Sequence, residues 1–384
     1  MRVFVIAGEP SGDKLGAAMM AGLKALQGDV PFDGVGGPLM QAEGLVSRFP
    51  MDELSVMGLA EILPKYRALK ARIRQMAEAI VASRPDVLIT IDSPDFCLRV
   101  ARLVKAVSDI PTVHYVAPTV WAWRAGRAAK MAQHIDHVLA LFPFEPPYMQ
   151  AAGMGCDFVG HPVVAEPVAS AAAVAELAIA DPVVMLLPGS RKGEVSRLAD
   201  RFGEAAALIA KERPAARFVI PTTQGVYDLV QTRVGGWTVP VTVLAPGDAR
   251  RAAFFKRADV ALAASGTVSL ELAANATPMV IAYDMAWLSR VIISRMLKVD
   301  TVTLVNLVSE TRVIPEFIGA ACQPEPIARA VLELLDNPGA QQAAMATTMT
   351  RLGQGGPPPG LRAAQAVVDF LKKPAVKNKQ AKGK

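Results

Sequence analysis

The feature that most constrains this chain is an alternation of short apolar runs with longer helical stretches, and it occurs twice. Runs at 3–7, 87–91, 112–116 and 137–141 read as buried strands, with helices at 19–26, 66–81 and 98–107 between them. Short branched-aliphatic runs alternating with 3.6-period segments mark βαβ units, and therefore a parallel sheet. After Gly160-His161-Pro162 a stretch rich in Ala and Val intervenes at 165–180. The pattern then restarts, with runs at 183–187, 217–220, 241–244, 260–263 and 279–282. A chain of 384 residues has room for two domains of roughly 100–200 residues each. The expected architecture is α/β, with two Rossmann-like domains, 1–162 and 163–345, facing each other across a cleft. Gly353-Gln354-Gly355-Gly356-Pro357-Pro358-Pro359-Gly360 breaks the chain again, and an amphipathic helix follows at 361–371. The segment 346–371 is expected to be helical and to pack back on the first domain, leaving 372–384 as a basic tail.

The net charge of +6 invites a nucleic-acid reading. Its location argues otherwise. Six lysines, Lys372, Lys373, Lys377, Lys379, Lys382 and Lys384, lie in the last stretch, and without them 35 basic residues face 35 acidic ones. The body is neutral and no nucleic-acid partner is expected. The tail reads as disordered and solubilising, with weak contact to acidic lipid as the alternative. Cys97, Cys156 and Cys322 are far apart, with no CxxC or Cys/His cluster. That fits reduced, buried thiols in a cytosolic protein and no metal site. The first residues are too quickly polar for a signal peptide. No run of about 18 apolar residues is present, so membrane contact is expected to be peripheral.

Open parallel sheets bind ligands beyond the carboxyl ends of their strands, and the chemically suggestive motifs follow strands. Gly8-Glu9-Pro10-Ser11-Gly12-Asp13 follows the first one. Its small residues and helix start, with Gly8, Glu9, Ser11 and Gly12 as candidates, would let backbone approach a ligand; an ordinary turn capped by Ser11 or Asp13 explains it equally well. It is not GxGxxG, which argues against a dinucleotide. In Ile91-Asp92-Ser93-Pro94-Asp95-Phe96, Asp92 is the candidate general base, while Asp95 fits the cap of the next helix. His114-Tyr115-Val116-Ala117-Pro118-Thr119-Val120-Trp121-Ala122-Trp123-Arg124 runs from a strand into a loop. Trp123 and Arg124 suit a sugar face or a phosphate, although core packing explains the tryptophans as well.

In the second half, Leu187-Pro188-Gly189-Ser190-Arg191 offers backbone N–H groups at Gly189 and Ser190. Arg191 could grip a diphosphate bidentately. No lysine follows in P-loop fashion. Ser265, Gly266 and Thr267 can hold phosphate oxygens, and Glu271, one turn on, can accept ribose hydroxyls; a solvated helix face is the alternative for Glu271. The segment 57–74 mixes apolar residues, among them Met57, Leu59, Ile62 and Leu63, with Lys and Arg. It reads either as a face for an anionic lipid surface or as an ordinary surface helix.

The motifs at 8–13, 91–96, 114–124, 158–162, 187–191 and 265–271, in order, resemble the lipid A disaccharide synthases, with the His114–Arg124 run the most specific. The resemblance spans residue 1 to about 335. It implies a GT-B glycosyltransferase fold and an inverting transfer from UDP-2,3-diacylglucosamine to 2,3-diacylglucosamine 1-phosphate, without metal or other cofactor. It points to Asp92 as base and to Arg191, Glu271 and Asn306 as UDP contacts. Gly8, Glu9, Ser11, Gly12, Asp95, Trp123 and Arg124 are then the candidate contacts to the acceptor and its phosphate. Around Asn306 the family's Leu-Pro-Asn-Leu-Leu becomes Leu304-Val305-Asn306-Leu307-Val308 here, which alters the expected loop path. The expected location is the inner face of the cytoplasmic membrane; oligomeric state stays open, a homodimer included. Other readings are a different UDP-sugar transferase or UDP-N-acetylglucosamine epimerase of this fold, or a non-catalytic nucleotide-binding module.

Overall fold

The computed structural model describes residues 1–54, 59–121, 126–285 and 299–373, with the side chains of 59–66 outside that description. The chain forms two compact units, Met1–Pro162 with Gly355–Lys384, and Val163–Gln354.

The first unit runs β1 (Val3–Ala7), α1 (Pro10–Gln27), β2 (Phe32–Val35), α2 (Pro38–Ala42), β3 (Val46–Ser47), α3 (Leu59–Ser83), β4 (Val87–Ile91), α4 (Pro94–Lys105), β5 (Thr112–Tyr115), α5 (Gly126–Met131), β6 (His137–Ala140), α6 (Pro146–Ala151) and β7 (Gly155–Phe158). Its sheet has the order β3-β2-β1-β4-β5-β6-β7 with every pair parallel. β1 and β4 are buried at all five positions, as strands covered on both faces must be. Two helices begin earlier than the sequence pattern suggests. α1 starts at Pro10 and α4 at Pro94, because proline at the first position loses no hydrogen bond and is already set to the helical φ.

The second unit runs α7 (Ala171–Ala175), β8 (Val183–Leu187), α8 (Lys192–Glu212), β9 (Arg217–Pro221), α9 (Tyr227–Val234), β10 (Val241–Leu244), α10 (Arg251–Arg257), β11 (Val260–Ala263), α11 (Val268–Ala274), β12 (Met279–Tyr283), α12 (Leu304–Ser309), β13 (Glu316–Ile318), α13 (Pro324–Asp336) and α14 (Gly339–Arg351). Its sheet, β10-β9-β8-β11-β12-β13, is also all parallel. α8 buries Val195, Leu198, Ala199, Phe202, Ala206 and Ile209, a helical stripe that meets Val184, Leu186 and Phe218 in one core.

The domain boundary expected at 345 falls inside α14. That helix buries Gln341, Ala344, Met345, Thr348 and Met349 as one face. The Gln341 amide also ties it to β12, accepting from Met279 N–H at 2.8 Å and donating to the Met279 carbonyl at 2.9 Å. The boundary therefore lies at 354/355. The last helix among the described residues, α15 (Pro359–Lys372), includes Lys372, which the sequence reading gave to the tail, and packs on α1. A methyl added at Gly22 would meet Ala364 Cβ and the Gly360 carbonyl at 2.9 Å, and one at Gly360 would meet Ala18 backbone at 2.6 Å. Arg362 donates to the Phe158 carbonyl at 2.8 Å, and Phe370 stacks on His137.

Burial also shifts titratable groups of the first unit, His114, His161 and Glu145 among them. Burial lowers the pKa of His114 and of His161 to about 4 and raises that of Glu145 to about 7. Glu145 nevertheless accepts from the Leu141 and Phe142 N–H groups, both at 3.0 Å.

Two outcomes follow. Gly360→Val should destabilise the first unit by about 1–3 kcal/mol through overpacking, whereas Gly339→Ala, with open space around it, should be near neutral; urea unfolding measures both. A histidine kept neutral contributes stability that is present above its unfolded pKa near 6.5 and lost as pH falls toward about 4. Glu145 has the opposite sign, gaining stability as pH falls from about 7 to the ordinary carboxyl value of 4.5. Each group contributes a slope of about 1.4 kcal/mol per pH unit. Glu145→Gln should therefore steepen the acid-side loss between about 7 and 4.5 by about 1.4 kcal/mol per pH unit, and an unchanged slope would contradict the assignment.

Candidate functional site

In the first sheet the strand order reverses between β1 and β4, and at such a switch point the two strand-to-helix turns lie side by side. They do so closely here: a methyl added at Gly8 would come within 2.6 Å of Ser93 Oγ. Asp92 and Ser93 are consecutive non-glycine residues in the left-handed region, with φ of 49° and 43°. Each costs on the order of 1–2 kcal/mol. Hydrogen bonds hold the turn. Asp92 N–H donates to the Tyr115 carbonyl at 3.0 Å, and the Ser93 carbonyl accepts from Phe96 and Cys97, both at 3.0 Å. The sheet thus ends in a sharp, fixed turn that carries the Asp92 carboxylate.

The neighbouring turn differs from its sequence reading. Ser11, Gly12 and Asp13 lie within the first turn of α1, and Glu9 is its N-cap residue. Gly12 is buried, and a methyl there would meet Ala7 Cβ at 3.3 Å. Its smallness therefore serves helix–sheet packing. Asp13 does not cap its own helix. Its buried carboxylate accepts from Gly37, Leu39 and Met40 N–H at 2.9–3.0 Å and so caps α2. Of this motif, Glu9 is half-buried and Ser11 exposed, while Gly8 is buried against Ser93. Asp95 is not a cap either: the N-cap of α4 is Ser93, and Asp95 sits in the first turn.

A cavity of about 640 Å³ opens beside this turn, lined among others by Asp92, Asp95, Leu98, Val116, Pro118 and Met131. Its size suits a small ligand. Arg99, Arg102, Arg127, Lys130 and His134 also line it. Sequence reading singled out none of these as site residues, although Arg99/Arg102 and Arg127/Lys130 share the i,i+3 spacing that puts two side chains on one helix face. His114 lines the cavity too, with Nδ1 at 2.8 Å from Thr90 Oγ1. Trp121 packs edge-on against Phe144. Trp123, Arg124 and Met57 lie outside the described residues, as do the side chains of Leu59, Ile62 and Leu63.

The second unit repeats the geometry. Its order reverses between β8 and β11, so Gly189-Ser190-Arg191 and Ser265-Gly266-Thr267 follow the two strands at the switch point. The first loop is already closed on itself. Ser190 and Arg191 N–H donate to Glu194 Oε2 at 3.2 and 3.3 Å, and the Arg191 guanidinium meets Oε1 at 3.0 Å. Gly189 has φ 117°, and a methyl there would strike Glu194 at 2.6 Å. Of the two backbone donors expected to be free, that of Ser190 is therefore engaged by a carboxylate, while the Arg191 side chain stays 68% exposed. The second loop is open: Gly266 and Thr267 are exposed, nothing lies within 4 Å of a methyl at Gly266, and Ser269 Oγ donates to the Gly266 carbonyl at 2.9 Å.

Glu271 pairs through Oε2 with the Arg251 guanidinium at 2.8 Å. Both line a small cavity with Glu166, Phe255 and Asn275. Asn306 departs from its expected role. It is buried, its amide donates to the Ile314 carbonyl and Thr301 Oγ1, and its oxygen accepts from Ile314 N–H, at 3.0–3.2 Å. With its donor and acceptor both spent on its own loop, it is a structural staple.

Among the described residues no group of His, Cys, Asp and Glu could hold a metal ion, and no helix is long and apolar enough to cross a membrane. Residues 3–365 match the model of the Lipid-A-disaccharide synthetase family. A Lipid-A-disaccharide synthase from Ruegeria pomeroyi is 63% identical, over 97% of this chain and 96% of its own. One from Rhodospirillum centenum is 45% identical, over 98% and 96%. Among solved structures, a UDP-GlcNAc 2-epimerase from Neisseria meningitidis, bound to UDP-GlcNAc, superimposes with a TM-score of 0.62 at 12% identity, over 97% of this chain and 99% of that one. The last likeness shows a shared two-domain fold alone, of the kind also found in glycosyltransferases. On the match along its whole length, the chain belongs to the lipid-A-disaccharide synthase family, glycosyltransferases of lipid A biosynthesis.

Proposed function

We propose that this chain transfers a 2,3-diacylglucosaminyl group from UDP to the 6-hydroxyl of 2,3-diacylglucosamine 1-phosphate, inverting the anomeric centre to give a β(1→6) disaccharide 1-phosphate and UDP. The observation that carries the residue assignment is the strained Asp92–Ser93 turn at a switch point, with Asp92 lining a ligand-sized cavity. Backbone strain kept at the rim of a cavity is commonly part of a mechanism.

In this reading the Asp92 carboxylate takes the proton from the acceptor 6-hydroxyl. The oxygen attacks the donor anomeric carbon as the bond from that carbon to the β-phosphate oxygen breaks, and the bonding pair leaves with UDP. The leaving group needs charge stabilisation rather than a proton. The exposed Arg191 side chain and the Ser265-Gly266-Thr267 loop supply it, and Glu271 meets the ribose by exchanging from Arg251. Asn306 is left out of the contact set because its amide is engaged. No metal takes part in this scheme.

Both substrates carry acyl chains, so the enzyme works at a membrane surface, on the inner face of the cytoplasmic membrane. Met57, Leu59, Ile62 and Leu63, with the basic residues up to 74, provide the contact.

Asp92→Asn should lower turnover on the order of 10²–10⁴-fold while calorimetry still detects UDP binding. Run with a chelator present, the wild type should keep its full rate. Full turnover by Asp92→Asn would remove Asp92 from the role. Replacing Met57, Leu59, Ile62 and Leu63 by serine should weaken flotation with anionic liposomes; unchanged flotation would make that segment ordinary structure.

A further inference from the structure

The cavity that holds Asp92 carries positive charge that no step above uses. Arg99, Arg102, Arg127 and Lys130 line it, against two carboxylates, Asp92 and Asp95, so the wall is positive by two charges. The chain as a whole spreads its charge differently. Many arginines elsewhere are paired, as in Arg48 with Asp33, Arg72 with Glu53, Arg201 with Asp284 and Arg257 with Asp259. Arg99, Arg102 and Lys130 make no ion pair among the described residues, although they face one cavity. Like charges gathered on one wall repel one another and focus their field into the space they enclose. His134, at the same wall, is held toward its neutral form by burial and then by the charge of Arg102.

We infer that this cluster binds the phosphate monoester of the acceptor, holding its sugar across the ring oxygen from the carbon that bears the reacting hydroxymethyl group. The inference rests on the proposed reaction. A phosphate monoester carries close to two negative charges and three acceptor oxygens, which matches the excess charge of the wall and the fork of an arginine. In a glucosamine 1-phosphate, the phosphate is on C1 and the reacting hydroxyl on C6, carried by C5. These two carbons flank the ring oxygen, so one pyranose can reach the cations and Asp92 of a single cavity together. Leu98, Val116, Pro118 and Met131 supply apolar wall between them. The cluster thereby orients the nucleophile, and its charge complements the acceptor rather than the UDP donor.

The test uses the full chain in neutral detergent micelles, with the acceptor and with its counterpart lacking the 1-phosphate. Arg102→Gln/Lys130→Gln takes one cation from each helix. It should raise the acceptor KM on the order of 10–100-fold, with a much smaller change in kcat and none in the donor KM. The wild-type preference in kcat/KM for the phosphorylated acceptor should shrink toward one. Arg102→Lys/Lys130→Arg, which keeps the charge, should restore most of the preference and guards against a simple folding defect. A double variant that keeps both its acceptor KM and its preference overturns the inference. So does one that loses binding to phosphatidylglycerol vesicles, relative to phosphatidylcholine, while its acceptor KM in neutral micelles is unchanged, since the cluster would then read lipid headgroups. A wild type that binds UDP but makes no disaccharide from either acceptor would instead sink the proposed reaction itself.

Discussion

Both sheets are built from parallel strands throughout, and a parallel sheet is stable only when both of its faces are covered. This requirement forces a crossover between successive strands and gathers the strand-to-helix turns at one edge of each sheet. The reversal of order at β1/β4 and at β8/β11 then sets two such turns side by side. Residues remote in the chain, Gly8 and Ser93 in one unit and Gly189 and Ser265 in the other, become neighbours or near neighbours for that reason. The apolar strands therefore do two things: they supply the core, and they decide where polar chemistry can be displayed.

The two edges handle charge in opposite ways. In the first unit, cations from α4 and α5 line a cavity with no ion-pair partner among the described residues at Arg99, Arg102 and Lys130, and a strained turn at the same cavity carries Asp92. In the second unit the charges are already matched. Glu194 engages two loop N–H groups and Arg191, and Glu271 pairs with Arg251. An anion entering the first site meets uncompensated charge. One entering the second must exchange with a resident carboxylate, which keeps the loop shaped at the cost of competing for its donors.

Much of the framework was legible in the sequence. The central strands of both sheets are continuous branched-aliphatic runs, and these are the elements whose type composition alone determines. β2, β3, β7 and β13 were not legible, since Phe32–Val35, Val46–Ser47, Gly155–Phe158 and Glu316–Ile318 are short or polar and take their strand character from the neighbour they pair with. The helix starts at Pro10 and Pro94 were hidden because Ser11, Asp13 and Asp95 look like caps. The true capping geometry depends on where backbone donors lie, and for Asp13 those donors belong to another helix.

The sequence by itself determined the fold class, the two-unit division, the family, and the strand ends at which Asp92, Arg191 and the Ser265-Gly266-Thr267 loop appear, because these rest on local periodicity and on short motifs. Only the tertiary structure decided which of the candidates are free to act. Asn306 and Gly12 read as ligand contacts in one dimension, yet the first spends its amide on Ile314 and the second is small so that α1 can approach the sheet. Arg99, Arg102 and Lys130 were not among the candidates, yet they share a wall with Asp92. The reason is physical: hydrogen-bond saturation and charge balance are properties of neighbours in space, and the crossovers of a parallel sheet choose those neighbours from distant parts of the chain.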